Sequence, residues 1–364
     1  MNRASVDRDL RFSYEVLGKA FPQRLGSIFT PQHGLWSDAQ ANMIETPSSF
    51  HHGLGIPIHS LYSETRRPTE EMLQDIDTLV VDLQDAGTRI YTFIWTMLAC
   101  MRACAQSQVN VVVLDRPNPV GGLIVEGPVL DPPYRSFVGD HPIPMRHALS
   151  IGEVARLFQS ELQLDLQLDV VPMVDWSPES SFIDLQRTWL PPSPNLPTAA
   201  STLPYVGQVL LEGTSLSEGR GTTTPFEMIG APGLPAQELA HALNDLQLPG
   251  VRFLPTTFRP TFDKFAGQDC GGISLHCTSQ DRFRPFQTTV EAMRLIQIRW
   301  PQTLQWLAPP YEYEAVRPPI DILYGSDRLR VSTEPASTLS RVNVDAWHER
   351  VDGALIYPRK GFLA

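Results

Sequence analysis

The sequence predicts an α/β fold in which a mainly parallel sheet is followed by a smaller α+β region, and three observations carry that expectation. Short β-branched runs alternate with helical patterns, the mark of parallel βαβ units. The runs are near-continuously apolar, as strands are when helices cover both faces of a sheet. At 364 residues the chain is long enough for two domains, because single cores stop growing near roughly 250 to 300 residues.

Taken in order, a helix near residues 13 to 20 precedes the strand Ser27-Ile28-Phe29-Thr30. A second helix, opened by Pro68-Thr69-Glu70-Glu71, leads into Asp77-Thr78-Leu79-Val80-Val81-Asp82-Leu83. A long helix over about 91 to 107 leads into Asn110-Val111-Val112-Val113-Leu114-Asp115. A fourth, from Gly152 to Leu162, leads into Leu166-Gln167-Leu168-Asp169-Val170-Val171. Residues 176 to 204 are rich in proline and serine and predict a surface loop over a site, since proline removes backbone donors and restricts the residue before it. A boundary is expected between Pro232 and Pro235, giving domains over 1–234 and 235–364. The second should hold a helix at 236 to 246, strands near 251 to 254 and 272 to 277, a long helix from about 286 to 299 and a mixed tail.

Composition narrows the function. Hydrophobic residues make up 42% and the formal charge is −11, with no basic block, which argues against a nucleic-acid partner. No run approaches the roughly 18 apolar residues that a membrane span needs. Cys100 and Cys104, and Cys270 and Cys277, lack redox or zinc spacing and read as buried reduced thiols. The first residues are polar where a signal peptide would be apolar, so the sequence as it stands predicts a cytoplasmic protein.

In open parallel sheets ligands bind outside the carboxyl ends of the strands. That rule selects Gln32 and His33 after the first strand, Asp82, Asp85 and Arg89 after the second, and Asp115, Arg116, Asn118 and then Glu126 after the third. A glycine-rich run, Glu212-Gly213-Thr214-Ser215-Leu216-Ser217-Glu218-Gly219-Arg220-Gly221, adds two acids and a guanidinium where the backbone can approach a ligand closely. All are expected to line one continuous cleft.

Other chemistries lack their residues. No Gly-x-Gly-x-x-Gly follows a strand, no phosphate-binding Gly-x-x-x-x-Gly-Lys-Ser/Thr run is present, and Gly213-Thr214-Ser215-Leu216-Ser217 misses the serine-nucleophile elbow. His51, His52, His141 and His147 lack helical metal spacing, so neither metal nor cofactor is expected. Carboxylate chemistry remains, and several acids with arginine, histidine and amide partners suit glycoside cleavage.

The same residues carry a family resemblance. Asp82-Leu83-Gln84-Asp85-Ala86-Gly87-Thr88-Arg89, Leu114-Asp115-Arg116-Pro117-Asn118-Pro119, Val125-Glu126-Gly127-Pro128, Pro192-Ser193-Pro194-Asn195-Leu196-Pro197 and Glu212 through Pro232 resemble, in order, the exo-β-N-acetylmuramidases of the NamZ type, family 171 of the glycoside hydrolases. Phe265-Ala266-Gly267-Gln268-Asp269-Cys270 is similar too. The resemblance implies a Rossmann-like, doubly wound catalytic domain, a smaller C-terminal domain and a cleft between them. It also implies release of terminal N-acetylmuramic acid from a small glycan or muropeptide, without metal or nucleotide. Glu218, Asp85, His33 and Gln32 become the catalytic candidates. Asp82, Arg89, Asp115, Arg116, Asn118, Glu126, Asn195 and Arg220 become the substrate-binding ones, the three arginines as forks for a lactyl or peptide carboxylate.

Two departures stand out. Family members carry Pro-Glu-His-Gly where this chain has Pro31-Gln32-His33-Gly34, and the glutamate is the position associated with acid/base catalysis. An amide cannot move a proton in that role. Either another acid serves, such as Asp38, Asp85 or Glu218, or the protein is a silent muropeptide-binding member or a different acid/base enzyme such as a transglycosylase or amidase. Family members also carry a strand ahead of the Met1 segment, and with a preceding strand and signal the expected location becomes periplasmic or secreted.

Overall fold

The computed structural model describes residues 1–40 and 43–364. It is a mixed α/β fold built on four small sheets. In the first, β1 (Ile28–Thr30) pairs in parallel with β3 (Ile56–Ser60), which pairs antiparallel with β2 (Ser49–His51). In the next, β4 (Thr78–Val81) and β5 (Asn110–Leu114) run parallel, with Val80 opposite Val112. After a two-stranded ribbon of β6 (Glu126–Val129) and β7 (Pro144–Arg146), β8 (Leu168–Val171) joins β5 in parallel, with Val113 opposite Val170.

The helices that connect these strands fall close to their expected bounds. The one over Phe93–Ser107 buries Phe93, Ile94, Met97, Leu98, Met101 and Cys104 almost completely, each large side chain contributing about 1.5–3 kcal/mol of burial. It stops where Gln108 turns left-handed, with φ 56°. The helix Ile151–Glu161 starts at a capping box, Ser150 accepting from the Glu153 amide while the Glu153 side chain accepts from the Ser150 amide.

The single doubly wound sheet expected from the sequence is divided here. β1 and β4 do not pair, and a cavity of about 710 Å³ lined by Ile28, Phe29, Leu79, Val81, Met97 and Cys100 lies between them. The strand-like runs were read correctly, but a run's apolar character does not name its neighbour.

The C-terminal sheet is antiparallel in the order β10-β11-β9, from β9 (Met228–Ala231), β10 (Val251–Phe258) and β11 (Cys270–Cys277). β9 precedes the boundary expected at 234/235 yet pairs with β11. A Cβ on Gly272 would lie 2.0 Å from the Ile229 carbonyl oxygen, so only glycine lets these two strands come together. The proline-rich segment is less irregular than expected, because its end forms the helix Ala199–Gln208, capped by Thr198 and containing Pro204. This helix packs on the helix Pro285–Arg299, with Gly207 against the Pro285 carbonyl at a separation that a Cβ would close to 2.1 Å. All four cysteines are free, and Cys277 is exposed at the end of β11 rather than buried. No helix among the described residues is long and apolar enough to cross a membrane.

Candidate active site

The carboxyl end of β1, the mouth of the helix Phe93–Ser107, the loop after residue 208 and the segment around Tyr311 meet at one pocket. Its walls carry Gln32, His33, Asn195, Glu212, Arg220 and Glu312. Three of its lining residues, His33, Phe226 and Glu312, hold φ at 73°, 63° and 45°. Left-handed backbone at non-glycine residues costs on the order of 1–3 kcal/mol each and gathers where function constrains geometry.

Arg220 is the electrostatic centre. Its Nη2 donates to Glu212 Oε1 at 2.6 Å, its Nε lies 3.2 Å from Glu218 Oε1, and its guanidinium stacks 5.1 Å from the Phe226 ring centroid. Burial works against its charge, but Glu212 and Glu218 outweigh that and hold its pKa above the ordinary arginine value. Glu212 in turn accepts from the Tyr311 hydroxyl at 2.6 Å. Glu218, expected to be catalytic, stands behind Arg220 off the pocket wall, clamped by Lys264 Nζ at 2.9 Å.

His33 is buried, and its Nδ1 lies 2.8 Å from the Ala39 carbonyl. A carbonyl can only accept, so Nδ1 carries the proton and Nε2 is the acceptor in the neutral ring. Burial lowers its pKa to about 4, and Arg220 adds to the effect against the bond to Ala39.

Gln32 binds three partners. It accepts from Thr92 Oγ1 at 2.8 Å and donates through Nε2 to the Tyr62 hydroxyl at 3.1 Å and to Glu312 Oε1 at 3.2 Å. Glu312 also accepts from the Tyr62 hydroxyl at 2.7 Å. Burial pushes its carboxyl up to about 7, and the bonds from Tyr62 and Gln32 offset only part of that. Glu312 is not among the candidates the sequence offers, because its surroundings read as a mixed tail. A usable signal was present, since Pro309-Pro310-Tyr311-Glu312-Tyr313-Glu314 sets acids among aromatics without helical or strand periodicity.

Asn195 lines the pocket while its Nδ2 donates to the Gln40 carbonyl at 2.8 Å. The other strand-end residues do not share the pocket wall, and the single continuous cleft is corrected accordingly. Asp85 sits a layer back, accepting from the Gly87 amide at 2.7 Å and lying 3.5 Å from His147 Nε2. Its charge still acts on Tyr91 and Tyr205, which do line the pocket. Asp82 is paired with Arg116 and bonded to Ser13. Arg116 borders a separate cavity of about 120 Å³. Asp115 accepts from Tyr357, Ser150 and the Gly152 amide, each at 2.7 Å, which pins the start of the helix Ile151–Glu161. Asn118 braces a turn through Leu149 and Val120, and Glu126 is paired with Arg146. Arg89 is wholly buried, its guanidinium donating to the carbonyls of Pro128, Ile143, Leu323 and Tyr324. Held in that way it ties the C-terminal region to the N-terminal one and cannot receive a substrate carboxylate. Among the described residues no group of three or more His, Cys, Asp or Glu is placed to hold a metal ion.

Two buried glutamates in unlike surroundings, on one pocket with a buried neutral histidine, are groups suited to acid–base chemistry. Comparison with known proteins narrows this. The family described as "Exo-beta-N-acetylmuramidase NamZ, N-terminal" matches residues 1–200, and its C-terminal counterpart matches residues 203–357. A Bacillus subtilis (strain 168) protein named peptidoglycan beta-N-acetylmuramidase NamZ is 44% identical over 307 residues, which is 84% of this chain and 74% of that protein. Two crystal structures of DUF1343 family proteins from Bacteroides fragilis NCTC 9343 are similar, one with 30% identity and TM-score 0.88, the other with 25% and 0.75. Each alignment covers 98% of this chain and 92% of the other. The chain belongs to the NamZ exo-β-N-acetylmuramidase family.

Proposed function

We propose that this protein is a glycoside hydrolase that releases terminal N-acetylmuramic acid from peptidoglycan fragments. The observation that carries the reading is the pair of glutamates on one pocket, Glu212 tied to Arg220 and Tyr311, and Glu312 held toward its neutral form. Glycosidases need two carboxyl groups with separate roles, and unlike surroundings separate them. The kinship with the Bacillus subtilis enzyme supplies the substrate class. We read the N-terminal region as Rossmann-like, supported by the parallel order β4-β5-β8 with its helices.

The alternative of a silent binding protein rests on Gln32. It loses force because the amide is bonded directly to a carboxyl group that ionises near neutrality. Incubation with a chromogenic N-acetylmuramide and with defined muropeptides is expected to release free N-acetylmuramic acid from the chain end. Tight binding of the muropeptide with no release on prolonged incubation would replace the enzyme by the binding protein.

A further inference from the structure

We propose that Glu312 donates the proton to the departing glycosidic oxygen, and that Gln32 is a positioning residue that aims it. The inference rests on the muramidase reading above. Its first support is place. The Glu312 side chain stands in the wall common to two cavities, the inner pocket of Gln32, His33 and Glu212 and an outer groove of about 590 Å³ that includes Arg66, Phe137 and Tyr313. A donor to a bridging oxygen must stand beside the bound glycan, and Glu312 lies where the outer groove, which is roomy enough for sugar, meets the inner pocket of about 30 Å³. Phe137 and Tyr313 line the outer groove, where the Arg66 guanidinium covers one face of the Tyr313 ring at 3.8 Å. Such walls suit a sugar ring, which is apolar on its faces and polar at its rim.

The second support is the way the carboxyl is held. Tyr62 donates to one oxygen and Gln32 to the other, while Thr92 fixes the opposite end of the amide. A glutamate at position 32 would compete for the same proton, whereas an amide orients Glu312 without taking it. Among the described residues, the charged and titratable groups around Glu312 are Glu212, Arg220, Tyr62, Tyr91, Tyr205, Tyr311 and the neutral His33 on the inner side, and Glu45, Glu64, Arg66, Tyr313 and Glu314 on the outer side. Burial and the Glu212 charge raise its pKa, the bonds from Tyr62 and Gln32 and the Arg220 charge lower it, and the balance stands at about 7. Its backbone φ of 45° indicates that the fold holds the residue in place against its own preference.

The step balances as follows. The Glu312 carboxyl gives its proton to the bridging oxygen as the bond from that oxygen to the anomeric carbon breaks, and the bonding pair stays on oxygen, which leaves as a hydroxyl. Water adds its oxygen to the anomeric carbon and gives up a proton to solvent, and the Glu312 carboxylate regains one from solvent.

The test compares wild type with Glu312→Gln on two N-acetylmuramides, one with an acidic dinitrophenolate leaving group and one with a sugar alcohol leaving group. A proton donor matters in proportion to leaving-group basicity. The variant is expected to lose about 10²- to 10⁴-fold in kcat/KM on the disaccharide and little on the activated aryl glycoside. The alkaline limb expected for wild type near pH 7 should be absent from the variant's profile. Equal losses on both substrates, or none, overturn the assignment. Wild type without turnover on either substrate overturns the muramidase reading and the Glu312 role with it. Should Glu312→Gln fail to fold, Tyr62→Phe keeps the question open to measurement. It removes a donor to the ionised form, so the alkaline limb should move up with KM little changed, and an unmoved limb counts against the proposal. In Gln32→Glu the two carboxyls must share one proton, so the limb should also move up. A gain in rate with the limb unmoved would return the acid role to position 32 and overturn the proposal.

Discussion

Arg220→Met should lower the unfolding free energy by about 3–5 kcal/mol, the usual cost of removing one partner from a buried ion pair. The size of the effect follows from what Arg220 holds. It is buried, pairs with Glu212 at 2.6 Å and Glu218 at 3.2 Å, and lies 3.9 Å from Asp263. Methionine fills much of the space over Phe226 but removes the charge-assisted bond to Glu212. Lys264 still pairs with Glu218 at 2.9 Å, so the loss at that acid should be partial. A buried carboxylate stripped of its cation takes up a proton more readily, so the deficit should shrink as pH falls. Arg220→Lys should lie between, because it restores charge but not the fork that reaches two acids. Urea unfolding of the three proteins at neutral and acid pH measures this. A deficit for Arg220→Met below about 1 kcal/mol would mean that the acids are neutralised by other groups.

The strand-end rule brings Gln32 and His33 to the pocket wall, and the reason its other candidates stand away from that wall is specific. Gln32 and His33 follow β1, while Arg220, from the glycine-rich run, and Asn195, from the family resemblance, sit on loops without periodicity, and all four line the pocket. Asp82, Asp115, Asn118 and Glu126 are also at or beyond strand ends, yet each is consumed by a partner that sequence spacing does not reveal. Asp115 is the clearest case, since a strand-end acid awaiting a ligand and one that pins a helix start look alike until Ser150, Gly152 and Tyr357 are seen around it. Arg89 illustrates the same limit for cations. Its partners include carbonyls 234 and 235 residues away, and no local pattern distinguishes a guanidinium that holds two regions together from one that waits for a carboxylate.

Glu312 was hidden for the complementary reason. It meets Gln32 across 280 residues and Tyr62 across 250, from a segment with neither helical nor strand period. Motif reading favours glycine-rich loops and strand ends, and it has no rule that sends a tail acid back to the first strand. The substitution at position 32 was legible at once, but its meaning was not. Seen alone, glutamine removes an acid. Beside Glu312, it changes which of two neighbouring positions carries the proton.

The same burial that suits Glu312 to its proposed role should make it a stability cost at alkaline pH. The Glu312→Gln variant is therefore expected to be more stable than wild type above about pH 7.5 and to lose that advantage below about pH 4. The sign follows from linkage. The folded-state pKa is raised to about 7 from an ordinary 4.5, so the folded protein holds a proton that the unfolded chain releases. Stability from this group is fully present below the unfolded pKa and declines as pH rises through the window from 4.5 to 7. A shift of that size corresponds to about 3 kcal/mol across the window, at 1.36 kcal/mol per unit. Glutamine keeps the shape and one acceptor oxygen of the side chain but cannot ionise, so the change with pH in the difference between the two proteins reports this group. Denaturant midpoints measured for both from pH 4 to 8 give the curve directly. Parallel stability curves across that range would show that Glu312 ionises alike in the folded and unfolded chain, removing the electrostatic ground for its acid role. A rising gap, with glycosidase activity lost in the more stable protein, is the pattern expected when a fold keeps a destabilising proton site because the chemistry uses it.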